Sequence, residues 1–312
     1  SLEEWPVALK ESEKIWLDGR LVPWKDAQVH VLTHSLHYGL SAFEGIRCYR
    51  ADDGRSSVFR LKEHVERLHL SAKIVEIAMP WSREQIETAI LDTLRANRMA
   101  EGYIRPIVYL GAGAMGLLPR DNPPQLAIIV WPWGAYLGDE GLERGIRAKV
   151  SSYTRHHPNV SMTKSKTCGD YVNSILAKRE VTRQGYDEAI MLDTNGLVAE
   201  CSGENIFAVR RGVLKTPPLV SVLEGITRDS VIRIARDKGI EVVETSMTRD
   251  ELYCADEVFL TGTAAELTPV REIDDRQVGA GSRGPITKTI QSTFFDAVHG
   301  RDRKYDSWLS PV

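Results

Sequence analysis

Two lysines, Lys164 and Lys166, stand in the run SMTKSKTCGD from Ser161 to Asp170. Their neighbours are Ser161, Thr163, Ser165, Thr167 and Gly169 rather than other charges. Small polar residues suit a tight turn laid against a ligand, so a functional amine is a candidate here, one that adds to a carbonyl or carries a proton. Solvated lysines are the commonest kind, and the pair taken alone does not separate the two readings or the two lysines.

Other residue types point the same way without deciding it. Gly225, Ile226 and Thr227 stand where a turn enters a helix, so free backbone N–H groups there favour an anion such as phosphate. Thr261, Gly262, Thr263 and Ala264 offer hydroxyls and close backbone at a strand end. Glu200 alternates with Ala199 and Cys201 on a returning hairpin strand, where a buried carboxylate would need a cationic partner. Arg67 can pair with Glu63 on an exposed helix face. Arg47 and Arg105 each interrupt an apolar segment, FEGIRCY and GYIRPIVY, and so are candidates for site-lining or edge positions.

The elements that must position these groups follow from period and punctuation. Lys14–Leu17 runs into a hairpin turn at Asp18 Gly19, and 29–32 reads as a second short strand. The segment from His34 to Arg50 reads as a strand pair whose loop faces something. Val65, Leu68, Ala72 and Val75 recur at helical spacing, and Ser82 with Gln85 forms a capping box before Ile86, Ile90 and Leu94. Two β-rich runs, 103–110 and 126–131, complete an α+β unit. Beyond a Gly- and aromatic-containing connection, a helix is expected over 169–185 with Val172, Ile175 and Leu176 on one side. Asn195 Gly196 marks a hairpin, Arg211 Gly212 repeats it, Thr227 and Thr248 cap helices, and a last helix covers 286–298.

Composition excludes several classes. The 312 residues are 42% hydrophobic and 27% charged, a globular balance. A formal net charge of −3, with 40 basic and 43 acidic residues mixed along the chain, recommends neither nucleic acid nor an acidic membrane. The four cysteines and eight histidines show no metal-ligand spacing, so no metal is expected. No apolar run approaches the roughly 18 residues of a membrane span, and no signal-like core opens the sequence, so the expectation is a cytoplasmic protein with reduced thiols acting on small molecules.

Six ordered stretches carry a resemblance: HYGLSAFEGIRCY, YIRP, WPWGAYLG, ECSGENIF, LEGITRDS and FLTGTAAELTPV. Together they resemble the fold-type IV pyridoxal-phosphate enzymes, and within them the branched-chain amino-acid aminotransferases, from about Ile15 to Phe295. The resemblance implies a two-domain α+β and α/β fold. A small N-terminal α+β sandwich would span 1–132, a connecting loop 133–141, and a larger cofactor-binding domain with a β-barrel-like core flanked by helices 142–312. It further implies pyridoxal 5′-phosphate as cofactor, held as a Schiff base by Lys166, with Lys164 outside the pattern. Tyr171 would bond the phenolic oxygen and Glu200 the pyridine nitrogen. Arg67, Leu223, Gly225, Ile226, Thr227, Gly262 and Thr263 would complete the cofactor site.

For the substrate, the same resemblance implies the Thr263 Ala264 turn and Tyr103 at its carboxylate. It lines the side-chain pocket with Tyr38, Phe43, Gly45, Trp133 and Tyr136, and leaves Arg47 or Arg105 for the second carboxylate of glutamate. The implied reaction moves an amino group from leucine, isoleucine or valine to 2-oxoglutarate, in a homodimer or higher homo-oligomer that completes each pocket across its interface. The alternatives on the same fold are a D-amino-acid or R-amine transaminase and an aminodeoxychorismate lyase. Cys168, Asp170 and Glu224 depart from the family's usual glycine, asparagine and proline.

Overall fold

Asp18 and Gly19 adopt positive φ of 47° and 92°, the conformation a two-residue hairpin requires. They join β1 (Lys14–Leu17) to β2 (Arg20–Pro23) in the computed structural model, which describes residues 9–134 and 139–312. The strand expected over 29–32 does not form. Val29, Val31 and Leu32 are exposed; no sheet face takes them up, and a short helix α1 (His34–Tyr38) follows.

Where a strand pair was expected, β3 (Ser41–Phe43) and β4 (Ile46–Arg50) form, joined through Glu44 and Gly45, but each pairs with the strand at Gly102–Leu110 rather than with the other. After β5 (Ser56–Phe59) come the two helices, α2 (Leu61–Ile74) and α3 (Arg83–Ala96). Ser82 and Gln85 cap α3 reciprocally, Gln85 N–H to Ser82 Oγ at 3.2 Å and Ser82 N–H to Gln85 Oε1 at 2.7 Å. β6 (Gly102–Leu110) and β7 (Pro124–Trp131) complete an antiparallel sheet, in which β3 also lies on β6. Val65, Leu68 and Ala72 of α2 and Ile86, Ile90 and Leu94 of α3 share one core with Ile46, Ile104 and Ile128 of the sheet. The three-four spacing read in the sequence is therefore the spacing of this buried face.

A second sheet follows α4 (Asp139–Arg144). It contains β8 (Ile146–Val150) and then, after α5 (Tyr171–Thr182), β9 (Glu188–Leu192) and β10 (Val198–Cys201). β11 (Asn205–Arg210) and β12 (Val213–Thr216) form the second hairpin. α6 (Ile226–Asp237), β13 (Val242–Glu244), α7 (Arg249–Tyr253), β14 (Glu257–Gly262), β15 (Glu266–Ile273), β16 (Arg276–Gln277) and α8 (Pro285–Val298) follow. The order is β10-β9-β8-β15-β14-β11-β12-β13, with β16 on β15.

Alternation along the strands splits this sheet's two faces. Phe207 and Phe259 stack at 5.0 Å and meet Val231 and Ile234 of α6 and Phe294 of α8. Ile206 and Leu260 point the other way, into a core closed by Ile146, Ile190 and Leu252. The sheet thus curls around one core and is covered by helices over the other.

Three local expectations change. α6 is preceded by Gly225, with no side-chain cap, and Thr227 lies inside its first turn. On α5 the residues that face inward are Ser174, Ala177 and Val181, whereas Val172, Ile175 and Leu176 are exposed. The last strand, β17 (Leu309–Pro311), pairs antiparallel with β5 and so joins the first sheet, although all residues from 142 onward were expected in the second unit. Burial of Tyr305 and Trp308 in the core that contains Tyr49 and Phe59 carries the chain back there.

Candidate active site

The lysine run lies in the seam between the two sheets, and its backbone is tied to the first. Phe43 N–H donates to Lys166 O at 3.1 Å, Lys166 N–H to Ser71 Oγ at 3.0 Å, and Gly169 N–H to Gly39 O at 3.1 Å. Ser165 Oγ donates to Ser71 O at 3.1 Å, so α2 holds the run from one side and β3 from the other. With its backbone fixed, Lys166 turns Nζ toward Tyr171 Oη, 2.5 Å away at the start of α5, and over the ring of Phe43 at 4.7 Å. Lys164 turns away. Its amine donates to Leu219 O and Val222 O and faces Glu224 at 3.6 Å, tying down the loop that leads into α6.

Lys166 stands on the wall of a cavity of about 390 Å³, within the size range of small-molecule sites. One end is cationic and rich in amides. The first amides of α6 open here with no side-chain cap, beside Arg67. Arg67 is held in a fork by Glu44, Nε to Oε1 at 2.6 Å and Nη2 to Oε2 at 2.9 Å, while Nη1 donates to Glu224 O at 2.7 Å. Glu44 is completely buried and also meets His64 Nδ1 at 2.8 Å. Burial pushes its carboxyl up, but Arg67 and His64 outweigh that and hold it far below the usual carboxylate range.

On the far side of Lys166 lies Glu200, 6% exposed. Its Oε1 is 2.7 Å from Arg155 Nε as an ion pair, off the line of a hydrogen bond, and its Oε2 accepts from Leu223 N–H at 3.1 Å. Burial raises its pKa, with Arg155 and the Leu223 amide opposing. Phe43, Ile107, Tyr103 and Trp133 supply apolar wall. Thr261 Oγ1 and Arg105 Nε belong to lining residues and are buried without a hydrogen-bond partner. The cavity is therefore built for a ligand that is anionic at one end and polar at several points along its length.

A family description for class IV amino-transferases matches residues 41–273. A branched-chain-amino-acid aminotransferase of Pseudomonas aeruginosa is 48% identical over 298 residues, 96% of this chain and 97% of that one. Its counterpart in Escherichia coli K12 is 48% identical over 309 residues, 97% and 98% of the two chains. The crystal structure of the Escherichia coli enzyme superposes with a TM-score of 0.94 at 47% identity, covering 96% of this chain and 99% of that one. The chain belongs to the class IV aminotransferases. A further branched-chain aminotransferase, that of Thermobaculum terrenum in its PLP-form, superposes at 0.91 with 35% identity over 96% and 98% of the chains.

In this aminotransferase the cavity wall brings together Phe43, Gly45, Arg67, Tyr103, Arg105, Trp133, Lys166 and Tyr171 with Leu223, Gly225, Ile226, Thr227, Gly262, Thr263 and Ala264. Three expected residues are off this wall, and the first, Glu200, lines the small chamber behind Lys166 instead. Arg47 spends Nε and both Nη atoms on the carbonyls of Thr263, Ala264, Trp133 and Gly134 at 2.9–3.2 Å. It staples the cavity mouth and has no fork left for a carboxylate. Tyr38 is 43% exposed and packs on His34 at 4.6 Å, outside the wall. Tyr136 lies outside the described residues.

Sequence reasoning missed Glu44 and His64 behind Arg67, Arg155 behind Glu200, and Asn205. Glu44 was legible only as the polar residue inside the apolar stretch FEGIR. Asn205 Nδ2 donates to Leu223 O at 3.1 Å and lies 3.4 Å from Glu200 Oε2, so it ties the carboxylate to the α6 entry loop. A Cβ on Gly225 would lie 1.9 Å from Asn205 Oδ1. Gly225→Ala must therefore move the asparagine or the loop, at about 1–3 kcal/mol of strain. The expected result is weaker cofactor binding by about tenfold or more, read by titration of the cofactor-free protein. Unchanged affinity would show that the close approach is not needed.

Proposed function

We propose that this chain transfers the amino group of leucine, isoleucine or valine to 2-oxoglutarate, giving the branched 2-oxo acid and L-glutamate in a ping-pong cycle that uses pyridoxal 5′-phosphate. The observation that carries this reading is Lys166 Nζ, 2.5 Å from Tyr171 Oη, standing between a cationic, amide-rich end and a buried carboxylate. When bound, the cofactor supplies a carbonyl carbon for the amino group and a ring that takes up the electron pair left at Cα.

The residues then divide the remaining work. Lys166 is the catalytic group. It holds the cofactor between turnovers and, as a free amine during them, takes the proton from Cα and returns it to the former carbonyl carbon. Tyr171 keeps that amine oriented from the cofactor's phenolic side. Glu200 keeps a proton on the ring nitrogen, and its buried setting strengthens that attraction. Arg67, Ile226, Thr227 and Thr263 take the phosphate, with the backbone of Leu223, Gly225 and Gly262 closing around it.

Phe43, Gly45, Tyr103 and Trp133 take the branched side chain, and the Thr263 Ala264 turn takes the substrate's carboxylate. Arg105 is the group for the second carboxylate of glutamate. Its guanidinium lies over Phe43 at 4.6 Å with Nε unpartnered, whereas Arg47 has four of its five N–H groups on backbone carbonyls. Arg105→Ala should raise KM for 2-oxoglutarate by about 10- to 100-fold, the loss of one charge-assisted contact. The half-reaction with L-leucine should change much less. An equal loss on both substrates would count against this assignment.

The exposed apolar residues of α5, Val172, Ile175 and Leu176, together with Val31 and Leu36, suit burial against another copy. We read the enzyme as a cytoplasmic homodimer or higher homo-oligomer in which Tyr38 reaches a neighbouring copy's pocket. Among the described residues no helix is long and apolar enough to cross a membrane. The deciding experiment follows the visible absorbance of the cofactor-loaded protein. L-leucine should remove the lysine-bound band, 2-oxoglutarate should restore it, and D-alanine should leave it unchanged. Bleaching by D-alanine but not L-leucine would sink the proposed specificity, and a protein that takes up no cofactor would sink the whole reading.

A further inference from the structure

Behind Lys166 a second chamber of about 30 Å³ is walled by Glu200, Glu204, Arg155, Asp170 and Ser202, among others. That is room for one water with polar partners on several sides. Glu204, directly before β11, belongs to the walls of both this chamber and the main cavity. It is 5% exposed. Its side chain accepts one hydrogen bond, from Gly203 N–H to Oε2 at 3.2 Å, and among the described residues it is in no ion pair.

The groups facing it make ionisation costly. Glu188 on β9 is fully buried; it already takes the amine of Lys178 from α5 and the Ser202 hydroxyl at 2.5 Å. Glu200 on β10 has Arg155 at 2.7 Å, and Cys201 beside it is buried. From β14, Gly262 offers only backbone against the Glu204 stem. Lys166, Tyr171 and Asp170 face it across the small chamber. A further anion here would stand beside Glu188 and Glu200, whose cations are already engaged, and across the chamber from Asp170.

We propose that Glu204 is a neutral carboxylic acid in the working enzyme, a positioning residue that donates through one water in the rear chamber to Glu200 and so keeps an unpaired anion out of the wall behind the lysine. Burial and then Glu188 push its pKa up to about 8, with Lys178 and the Gly203 amide opposing. The folded value lies above the ordinary 4.5. Its contribution to stability is therefore complete below that value and is lost as pH rises toward about 8. The protonation stands on the cofactor-free protein, whereas the contact to Glu200 bears on the reaction through the aminotransferase reading above.

The test begins with the cofactor-free protein, unfolded by denaturant across a pH series, as wild type and as Glu204→Gln, which mimics the protonated acid. Relative to the variant, wild type should lose about tenfold in folding constant per pH unit within that window. Parallel curves would overturn the proposal. Should the variant fail to fold, infrared spectra of wild type decide: a protonated-carboxyl C=O band that fades near the upper end of the window is expected, and its absence overturns the proposal. In the loaded enzyme, Glu204→Gln should remove a pH transition from the cofactor's visible band. If wild type and variant share that transition, the link to Glu200 is wrong. A protein that binds no cofactor would fail the functional reading alone, since the cofactor-free measurements would still decide the state of Glu204.

Discussion

Lys166→Ala is expected to abolish transamination and the lysine-bound absorbance band together, with a loss of at least ~10⁴-fold in kcat, the upper range for removal of a positioned acid–base group. The size follows from the site. Lys166 Nζ reaches Tyr171 Oη at 2.5 Å from a backbone held by Ser71 and Phe43, and Lys164 is committed to Leu219 O, Val222 O and Glu224. Among the described residues no second amine stands ready to substitute. Lys164→Ala should keep the band and lower cofactor affinity only severalfold, because it loosens the loop before α6 without touching the reacting atoms. If Lys164→Ala alone removed the band, the assignment of the two lysines would be reversed. Spectra of both purified variants, with and without added cofactor, give the answer.

Glu44→Ala is expected to cost about 3–5 kcal/mol of stability, the range for breaking a buried ion pair from one side. The carboxylate is fully buried and serves Arg67 through two contacts, at 2.6 and 2.9 Å, and His64 through one, at 2.8 Å. Its removal leaves the Arg67 guanidinium without its anion and without its orientation. Denaturant unfolding should show the loss, and cofactor titration should show weakened phosphate binding in whatever fraction still folds. Glu44→Gln keeps the shape but only one acceptor oxygen, and sets an NH2 donor where Arg67 or His64 needs an acceptor, so it should recover only part of the loss. Because the folded carboxyl lies far below its ordinary value, its contribution to stability is present above that ordinary value and is lost as pH falls toward the folded one. A Glu44→Ala protein as stable as wild type at neutral pH would show that the pair does not hold Arg67.

Much of the fold was legible because it rests on local rules. The hairpins at Asp18 Gly19, Asn195 Gly196 and Arg211 Gly212, the Ser82 capping box and the apolar spacing of α2 and α3 depend on residues close in sequence. Local rules failed where burial was decided from afar. The run at 29–32 has strand residues but no strand to pair with. α5 turns Val172, Ile175 and Leu176 outward, because the inner sheet takes only the small Ser174 and Ala177 and the single Val181. β17 returns to the first sheet on the packing of Trp308, which nothing near residue 309 announces.

The site divides along the same line. By itself, the sequence determined the residue types that can do this chemistry and, through its ordered motifs, the class of enzyme and cofactor. It did not separate Arg47 from Arg105, since both read as arginines breaking an apolar strand. The fold separates them by where the carbonyls of the 133–134 and 263–264 segments fall, which surround one guanidinium and leave the other open. Nor did it reveal Glu44 and Arg155, the charges behind Arg67 and Glu200, or the isolation of Glu204. Those properties are sums over neighbours brought together from distant parts of the chain. Burial sets the strength of each of those charges, and burial is fixed only when the two sheets meet around Lys166.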